Sequence, residues 1–239
     1  MAEIAEVLDE IPARALAVYA HPDDPEVSCG GTLARWAAAG CAVTVVVACA
    51  GDKGSSDPTT DPVALAAQRA AEVDDAVAAL GLVGVTQWSR PDGELDQWTE
   101  LRAELVGVVR ELRPEVVIAP DPTAVFFGDG YVNHVDHRTL GWAVLDAVAP
   151  ASSSPLYFPD RGAAHQVATV LLSGSLEPDV WVDISDGLDA KVRALFCHTS
   201  QLAPDAGDWL ADFVRQRAED EGRRAGLRAA EGFRRLRLG

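Results

Sequence analysis

Short apolar runs alternate with amphipathic segments through the first 150 residues, and this alternation limits the possible folds more than any other feature of the sequence. Runs with the length and composition of buried strands occupy residues 15–20, 42–48, 83–89 and 115–119. Segments with helical periodicity or a helix-ending glycine occupy residues 30–39, 63–80, 98–112 and the stretch that begins at 134. Strands that alternate with helices build βαβ units. The sequence therefore predicts an α/β fold with a mostly parallel sheet.

The region after residue 150 changes character. Three apolar runs lie close together at residues 156–159, 167–173 and 180–185, which predicts one or more antiparallel edge strands. Two further helices are predicted at residues 186–197 and from 204 to about 224, and the Arg-rich tail is expected to form a solvated or subunit-contacting helix. The sequence contains no linker, repeat or low-complexity tract, so we expect one domain over residues 1–239.

Charge excludes several classes of partner. The chain has 20 basic and 37 acidic residues and a net charge of −17, which argues against nucleic acid or an anionic membrane as the main ligand. Residues 215–239 hold eight Arg and four acids, so the rest of the chain carries −21. A G-x-G-x-x-G motif is missing after the first strand, which argues against a dinucleotide site. A small polar molecule is the expected ligand.

Cysteine usage and hydropathy indicate the compartment. The four cysteines form no C-x-x-C pair, a pattern that fits a reducing environment better than secretion. No apolar run approaches 18 residues, and the acidic N-terminus lacks a signal-peptide pattern. We therefore expect a cytoplasmic protein without a transmembrane helix.

One polar cluster follows the first strand directly. His21, Pro22, Asp23 and Asp24 stand where ligands bind in open α/β sheets, beyond the carboxyl end of a strand. A Pro-Asp-Asp turn without chemical function is the alternative interpretation. Because adjacent carboxylates rarely point the same way, one of them can ligate a metal while the other accepts a proton.

A second cluster opens the helix that follows the strand at 115–119. His134 and His137 are three positions apart, so in a helix they share a face, whereas Asp136 points elsewhere. The alternative is a helix N-terminus with solvated polar residues, where Asp136 is an ordinary first-turn acid.

The two clusters are more informative together than apart. Two imidazoles and one carboxylate, with a fourth position left to water, have the composition of a catalytic zinc site. A neighbouring carboxylate that does not bind the metal would serve as the general base for that water.

The segments AHPDDPEVSCGGTLARW and NHVDHRTLG resemble the PIG-L/LmbE-like zinc-dependent N-deacetylases, a family that includes GlcNAc-PI de-N-acetylases. The resemblance covers most of the chain, because GDKGS, Arg69 with Glu72, PDGEL and HTSQ also fall in the family's order. It implies a Rossmann-like three-layer α/β/α fold. Two departures are Pro25, where an acid is common, and Val135, where a proline is usual.

The resemblance also implies residue roles. The zinc ligands would be His21, Asp24 and His137. Asp23 would be the general base. His134 would be the proton donor and oxyanion partner, and Asp136 would tune it.

Three further positions carry weaker predictions. Arg69 and Asp92 match the family's substrate-binding positions, although Arg69 could equally be a surface charge on its helix and Asp92 a turn former. His198 is interpreted as a charge at a helix end.

The leading hypothesis is a zinc-dependent hydrolase that removes an N-acetyl or other N-acyl group from a small polar substrate. The net charge of −21 on residues 1–214 disfavours a lipid-anchored sugar as the substrate, so an amino-sugar conjugate or a secondary-metabolite intermediate is expected. The alternatives are a degenerate metal-binding protein without turnover and a different metal-dependent hydrolase such as a phosphoesterase. A homo-oligomer is compatible with the Arg-rich tail.

Overall fold

An eight-stranded sheet forms the centre of the computed structural model, which describes residues 5–96, 98–202 and 207–238. Its strands are β1 (Glu6–Val7), β2 (Arg14–Tyr19), β3 (Ala42–Cys49), β4 (Gly84–Arg90), β5 (Val116–Pro120), β8 (Thr169–Ser173), β9 (Val180–Asp183) and β10 (Ala230–Arg237). A two-stranded hairpin, β6 (Phe126–Phe127) and β7 (Tyr131–Val132), lies outside it. The helices are α1 (Asp24–Ala38), α2 (Pro62–Leu80), α3 (Trp98–Leu112), α4 (Val135–Asp146), α5 (Leu188–Leu195) and α6 (Gly207–Ala225). Short helical turns occupy Ala147–Ser152, Pro159–Arg161 and Thr199–Gln201.

The sheet is mostly parallel, as the alternating sequence predicts. Its order is β1-β9-β10-β8-β5-β2-β3-β4, and β10 is antiparallel to both of its neighbours while the other pairs are parallel. The expectation of antiparallel edge strands within residues 152–185 is therefore wrong. β8 and β9 come from that region but are parallel to β5 and β1. The run at 156–159 forms no strand, because residues 156–158 lie in a loop and Pro159 begins a short helical turn.

Helices cover both faces of the sheet. Along β2, Ala15, Ala17 and Tyr19 belong to the apolar cluster on one face, and the intervening residues belong to the cluster on the other. The first cluster includes residues of α1, α2 and α5, and the second includes residues of α3 and α4. The predicted three-layer α/β/α arrangement is confirmed.

Helix α1 begins six residues earlier than the predicted start at residue 30, because two helical segments are joined across a kink. Cys29 has non-helical angles, φ −144° and ψ 16°. At the kink the Glu231 carboxylate accepts hydrogen bonds from the N–H groups of Gly31 and Thr32, at 3.0 and 2.8 Å. The predicted helix thus corresponds to the second segment, which a residue of β10 caps from 200 positions away.

The Arg-rich tail is not a continuous helix. Helix α6 ends at Ala225, and residues 230–237 enter the sheet as β10, where Arg235 and Arg237 pair with Glu6. The predicted helix start at residue 204 lies outside the described residues. None of the helices in the described ranges is long and apolar enough to cross a membrane.

Candidate metal centre and its cleft

The carboxyl ends of β2, β3 and β4 meet at one edge of the sheet, because these strands are parallel neighbours. The turn 21–24 follows β2, the loop that begins at Gly51 follows β3, and the Pro91–Gly93 turn follows β4. Helix α4 brings the second predicted cluster to the same edge. Both clusters line one open cleft together with Lys53, Gly54, Arg69, Asp92, Gly93, Tyr131 and Gln201.

Three side chains from the two clusters form a compact donor group. His21 Nδ1 and His137 Nε2 are 3.2 Å apart, His137 Nε2 and Asp24 Oδ2 are 3.2 Å apart, and Asp24 Oδ2 and His21 Nδ1 are 3.4 Å apart. Metal–nitrogen bonds of about 2.0–2.1 Å in a tetrahedral zinc site separate the ligand atoms by about 3.3–3.4 Å. The three atoms therefore have the mutual spacing expected of three ligands of one zinc ion, a set that would leave the fourth position to water or substrate.

Hydrogen bonds from behind orient both imidazoles. His137 Nδ1 lies 3.0 Å from Asn133 Oδ1, and Asn133 is itself fixed by a 2.8 Å bond from Nδ2 to the Ala124 carbonyl. His21 Nε2 lies 3.1 Å from Asp136 Oδ2. A partner on the second ring nitrogen is typical of metal-binding histidines, since it fixes the tautomer and the ring direction.

Asp136 contacts His21 more closely than His134, which the sequence-based role for Asp136 did not anticipate. Its Oδ2 is 3.8 Å from His134 Nδ1 and accepts a 2.6 Å hydrogen bond from the Gly93 N–H. Leu95 N–H donates to the other oxygen at 3.3 Å. Burial opposes ionisation of Asp136, but these hydrogen bonds outweigh it and lower its pKa to about 2. An ionised, fully buried carboxylate thus stands behind His21.

His134 caps the helix that carries His137. Its Nδ1 accepts the Asp136 backbone N–H at 3.2 Å, so the neutral ring carries its proton on Nε2. Burial and the neighbouring charge of His21 lower the pKa of His134. A neutral His134 with an N–H on the cleft side is suited to donate a hydrogen bond to a developing oxyanion.

The pKa values of the two adjacent aspartates, Asp23 and Asp24, are shifted in opposite directions. Burial and the charge of Asp24 raise the pKa of Asp23 to about 7, although Arg69 and His198 counteract the shift. Burial also acts against ionisation of Asp24, but hydrogen bonds to His137 and His21 outweigh it and hold its pKa well below the usual range. Burial disfavours the charged form of His21, yet its bonds to Asp136 and Asp24 raise its pKa to about 10. A carboxylate with a pKa near neutrality is matched to proton transfer at pH 7.

Arg69 and Asp92 both bind the loop that follows β3. The Arg69 side chain is buried, with 3% of the residue exposed, so the alternative of a surface charge is wrong. The Asp92 carboxylate accepts hydrogen bonds from the N–H groups of Gly51 and Lys53, at 2.9 and 3.2 Å. Contact of either residue with substrate stays a prediction.

Sequence reasoning missed a buried pair beneath the cleft. His198 lies just after the end of α5, as the sequence indicates, but it is 1% exposed and its Nε2 lies 3.1 Å from Glu26 Oε2. Glu72 holds the same segment by accepting hydrogen bonds from the Ser200 N–H and hydroxyl, at 2.7 and 2.6 Å. The one available signal was the position of HTSQ in the order of family motifs.

The part of the chain that the structure describes contains three groups of side chains that could bind a metal ion, and all three include His21. They are His21 with Asp24 and His137, His21 with His134 and Asp136, and His21 with Cys49 and Asp92. Because one imidazole is common to all, these groups overlap and favour one metal ion over a two-metal cluster.

Comparison with known proteins decides the family. The model of the PIG-L family, described as GlcNAc-PI de-N-acetylase, matches residues 16–148, more than half of the chain. The chain belongs to the PIG-L family. This confirms the predicted membership and, at the level of the family, the predicted hydrolysis of an amide C–N bond.

Relatives of known activity extend over nearly the whole chain. The diacetylchitobiose deacetylase of Thermococcus kodakarensis is 31% identical and aligns with 92% of this chain and 82% of its own length. A 1D-myo-inositol 2-acetamido-2-deoxy-alpha-D-glucopyranoside deacetylase of Rhodococcus erythropolis is 28% identical over 82% of this chain and 84% of the relative. The structure of N,N'-diacetylchitobiose deacetylase from Pyrococcus horikoshii, with its inhibitor MPG, superposes with a TM-score of 0.85 at 28% identity, covering 95% of this chain and 84% of that one. These relatives are deacetylases of amino-sugar compounds.

Proposed function

We propose that this PIG-L family protein is a zinc-dependent N-deacetylase of a small N-acetylated amino-sugar compound. The observation that carries the proposal is the triangle of His21 Nδ1, Asp24 Oδ2 and His137 Nε2, with sides of 3.2–3.4 Å. This donor set, two imidazoles and one carboxylate, suits zinc better than magnesium or calcium, which prefer oxygen ligands.

His21, Asp24 and His137 would hold the ion, and Asp136 and Asn133 would keep the two imidazoles in place. When bound, zinc supplies a Lewis acid that polarises the amide carbonyl and makes water more acidic. The remaining steps belong to the residues of the chain.

Asp23 would accept the proton of the attacking water. Its carboxylate neighbours the donor group but makes no capping hydrogen bond to helix α1, so it is available to the cleft. The proton would then pass to the leaving amine, since hydrolysis of an amide needs a protonated nitrogen. His134 would donate its Nε2 hydrogen to the oxyanion of the tetrahedral intermediate. Acetate and a free amine are the products.

The substrate class follows from the lining of the cleft and from the relatives. Lys53, Asp92 and Gln201 give this side of the cleft donors and acceptors that suit a hydroxyl-rich molecule. The relatives deacetylate a chitobiose derivative and an inositol glycoside, both of which contain an acetylated amino sugar. The net charge of −17 favours a substrate free in solution over one in an anionic membrane.

The test is release of acetate by the zinc-loaded protein from diacetylchitobiose and from N-acetylglucosaminyl-inositol. We expect a free amine and one acetate per cleaved amide, detected by mass spectrometry, and no release after chelation of the metal. Absence of acetate from both compounds and from a panel of other N-acetylated amino sugars would contradict the proposal.

A further inference from the structure

The backbone of Asp23 is held in a conformation that side chains rarely adopt. Its angles are φ 88° and ψ −26°, in the left-handed region, where a residue with a Cβ atom is strained. Asp23 is also the N-cap of α1, a position where an aspartate normally accepts a hydrogen bond from the first turn of the helix. Here the carboxylate makes no such bond. The left-handed backbone thus separates the Asp23 side chain from the helix that it precedes.

Arg69 holds the peptide group that enters this residue. Its Nη2 donates a 2.6 Å hydrogen bond to the carbonyl of Pro22, which belongs to the peptide that carries the Asp23 N–H. Its Nη1 donates to the Gly51 carbonyl at 3.3 Å. The guanidinium also lies 3.6 Å from Asp23 Oδ1, so one group contacts both the backbone and the carboxylate at this turn.

The loop after β3 is shaped around the Arg69 side chain. A Cβ atom at Gly51 would lie 2.6 Å from Arg69 Cδ, and one at Gly54 would collide with Arg69 Nη1. Gly51 has a φ of +74°, which also favours glycine, whereas Gly54 has no such requirement. The Arg69 side chain therefore packs closely against the backbone of Gly51 and Gly54, and this packing fixes its position.

We propose that Arg69 is a positioning residue for Asp23: it fixes the Pro22–Asp23 peptide in the left-handed turn and so aims the carboxylate into the cleft. This inference rests on the proposed deacetylase function. It differs from the predicted role of Arg69 in substrate binding, because a positioning residue affects kcat through Asp23, whereas a substrate ligand affects KM. A planar fork that bonds two carbonyls cannot be replaced by the single point charge of lysine.

A double-mutant cycle tests the inference. Arg69→Met should lower kcat by about 10²-fold, the cost of a small misplacement of a reacting group, and leave KM within about threefold and zinc content unchanged. In the Asp23→Asn background the same substitution should lower kcat by less than about threefold, because the group that Arg69 positions is already lost. A raised KM with parental kcat, or equal effects of Arg69→Met in both backgrounds, would overturn the proposal.

Two variants keep the test decisive if Arg69→Met does not fold. Gly54→Ala retains the arginine but crowds its guanidinium, and Arg69→Lys retains the charge but not the fork. Both should lower kcat while KM and zinc content are maintained. Parental kcat in both variants would contradict the proposal.

A crystal structure of Arg69→Met separates failure of this inference from failure of the proposed function. The inference expects Asp23 to leave the left-handed region in the variant, and this outcome does not require any activity. A φ that remains positive overturns the inference. Absence of acetate release by the parent protein would instead contradict the deacetylase proposal alone.

Discussion

Two buried arginines, Arg69 on α2 and Arg110 on α3, lie on opposite faces of the sheet. Each donates a hydrogen bond to a backbone carbonyl beside a left-handed residue. Arg69 donates to the carbonyl of the residue before Asp23, and Arg110 donates to the carbonyl of Tyr157, the residue before Phe158, at 2.8 Å. Asp23 and Phe158 are both left-handed, with φ values of 88° and 47°. One residue turns a carboxylate towards a cleft, while the other packs its ring against the apolar cluster of its face. A left-handed residue whose neighbouring carbonyl is bound by a buried arginine is therefore not by itself evidence of a catalytic site. The evidence comes from the side chain of that residue, which is a carboxylate at Asp23 and an apolar ring at Phe158.

The number of bonds also differs between the two regions. Arg110 reaches the carbonyls of Ala151, Ser152, Ser154, Tyr157, Phe158 and Gly162. Arg69 bonds to two carbonyls. The comparison predicts that changes near Asp23 alter turnover more than stability, and that a change at Arg110 does the reverse.

The largest effect on turnover is expected for the donor group. His137→Ala removes one of three proposed ligands, so zinc should be lost and kcat should fall by about 10³-fold or more, because the stabilisation by the metal is worth several kcal/mol. Elemental analysis and acetate release measure both quantities. Full zinc occupancy in this variant would remove His137 from the ligand set.

A smaller effect is expected for Asp136, which contacts the proposed ligand His21 but is not itself a proposed ligand. Asp136→Asn keeps the shape of the side chain but removes the charge beside His21 Nε2, and such changes typically weaken metal affinity by about 10–100-fold. Titration with a competing chelator measures the zinc affinity. If the affinity stays at the parental value, Asp136 does not act through His21.

The smallest effect on turnover is expected for Arg110→Met, which is also the matched control for Arg69→Met. Buried carbonyls lose a charged donor, which costs about 3 kcal/mol and lowers Tm by about 6–12 °C in a chain of this size. Below the transition, kcat should stay within about twofold of the parent. A loss of kcat as large as that in Arg69→Met would erase the distinction between the two regions.

Local periodicity was sufficient for the parallel strands β2 to β5, but it did not predict the short parallel strand β1. The strands β2 to β5 and the helices between them have apolar patterns that are complete within each segment. Strand β10 was missed because it is rich in arginine and its partners, β8 and β9, lie far away in the sequence. The apolar run at 156–159 was predicted as a strand but forms none. Carbonyls in this run accept hydrogen bonds from the distant Arg110 side chain and not from a neighbouring strand.

The candidate site shows the same division. Spacing and residue type brought His21, Asp24, His134 and His137 to attention, and the structure places them in one cleft. The partners behind them could not be assigned from spacing. The contact between Asp136 and His21 spans 115 positions, and that between His198 and Glu26 spans 172. Such contacts depend on how the strands and helices are packed.

The central claim is that the adjacent aspartates have different roles, Asp24 as a metal ligand and Asp23 as a general base. Paired measurement of zinc stoichiometry and kcat in Asp23→Asn and Asp24→Asn tests it most directly. Asp23→Asn should keep about one zinc per chain and lose about 10²–10⁴-fold in kcat, because only the proton acceptor is removed. Asp24→Asn should lose the metal, because a neutral amide is a poorer ligand than a carboxylate. The claim is contradicted if Asp23→Asn loses zinc while Asp24→Asn keeps it, or if Asp23→Asn turns over at the parental rate.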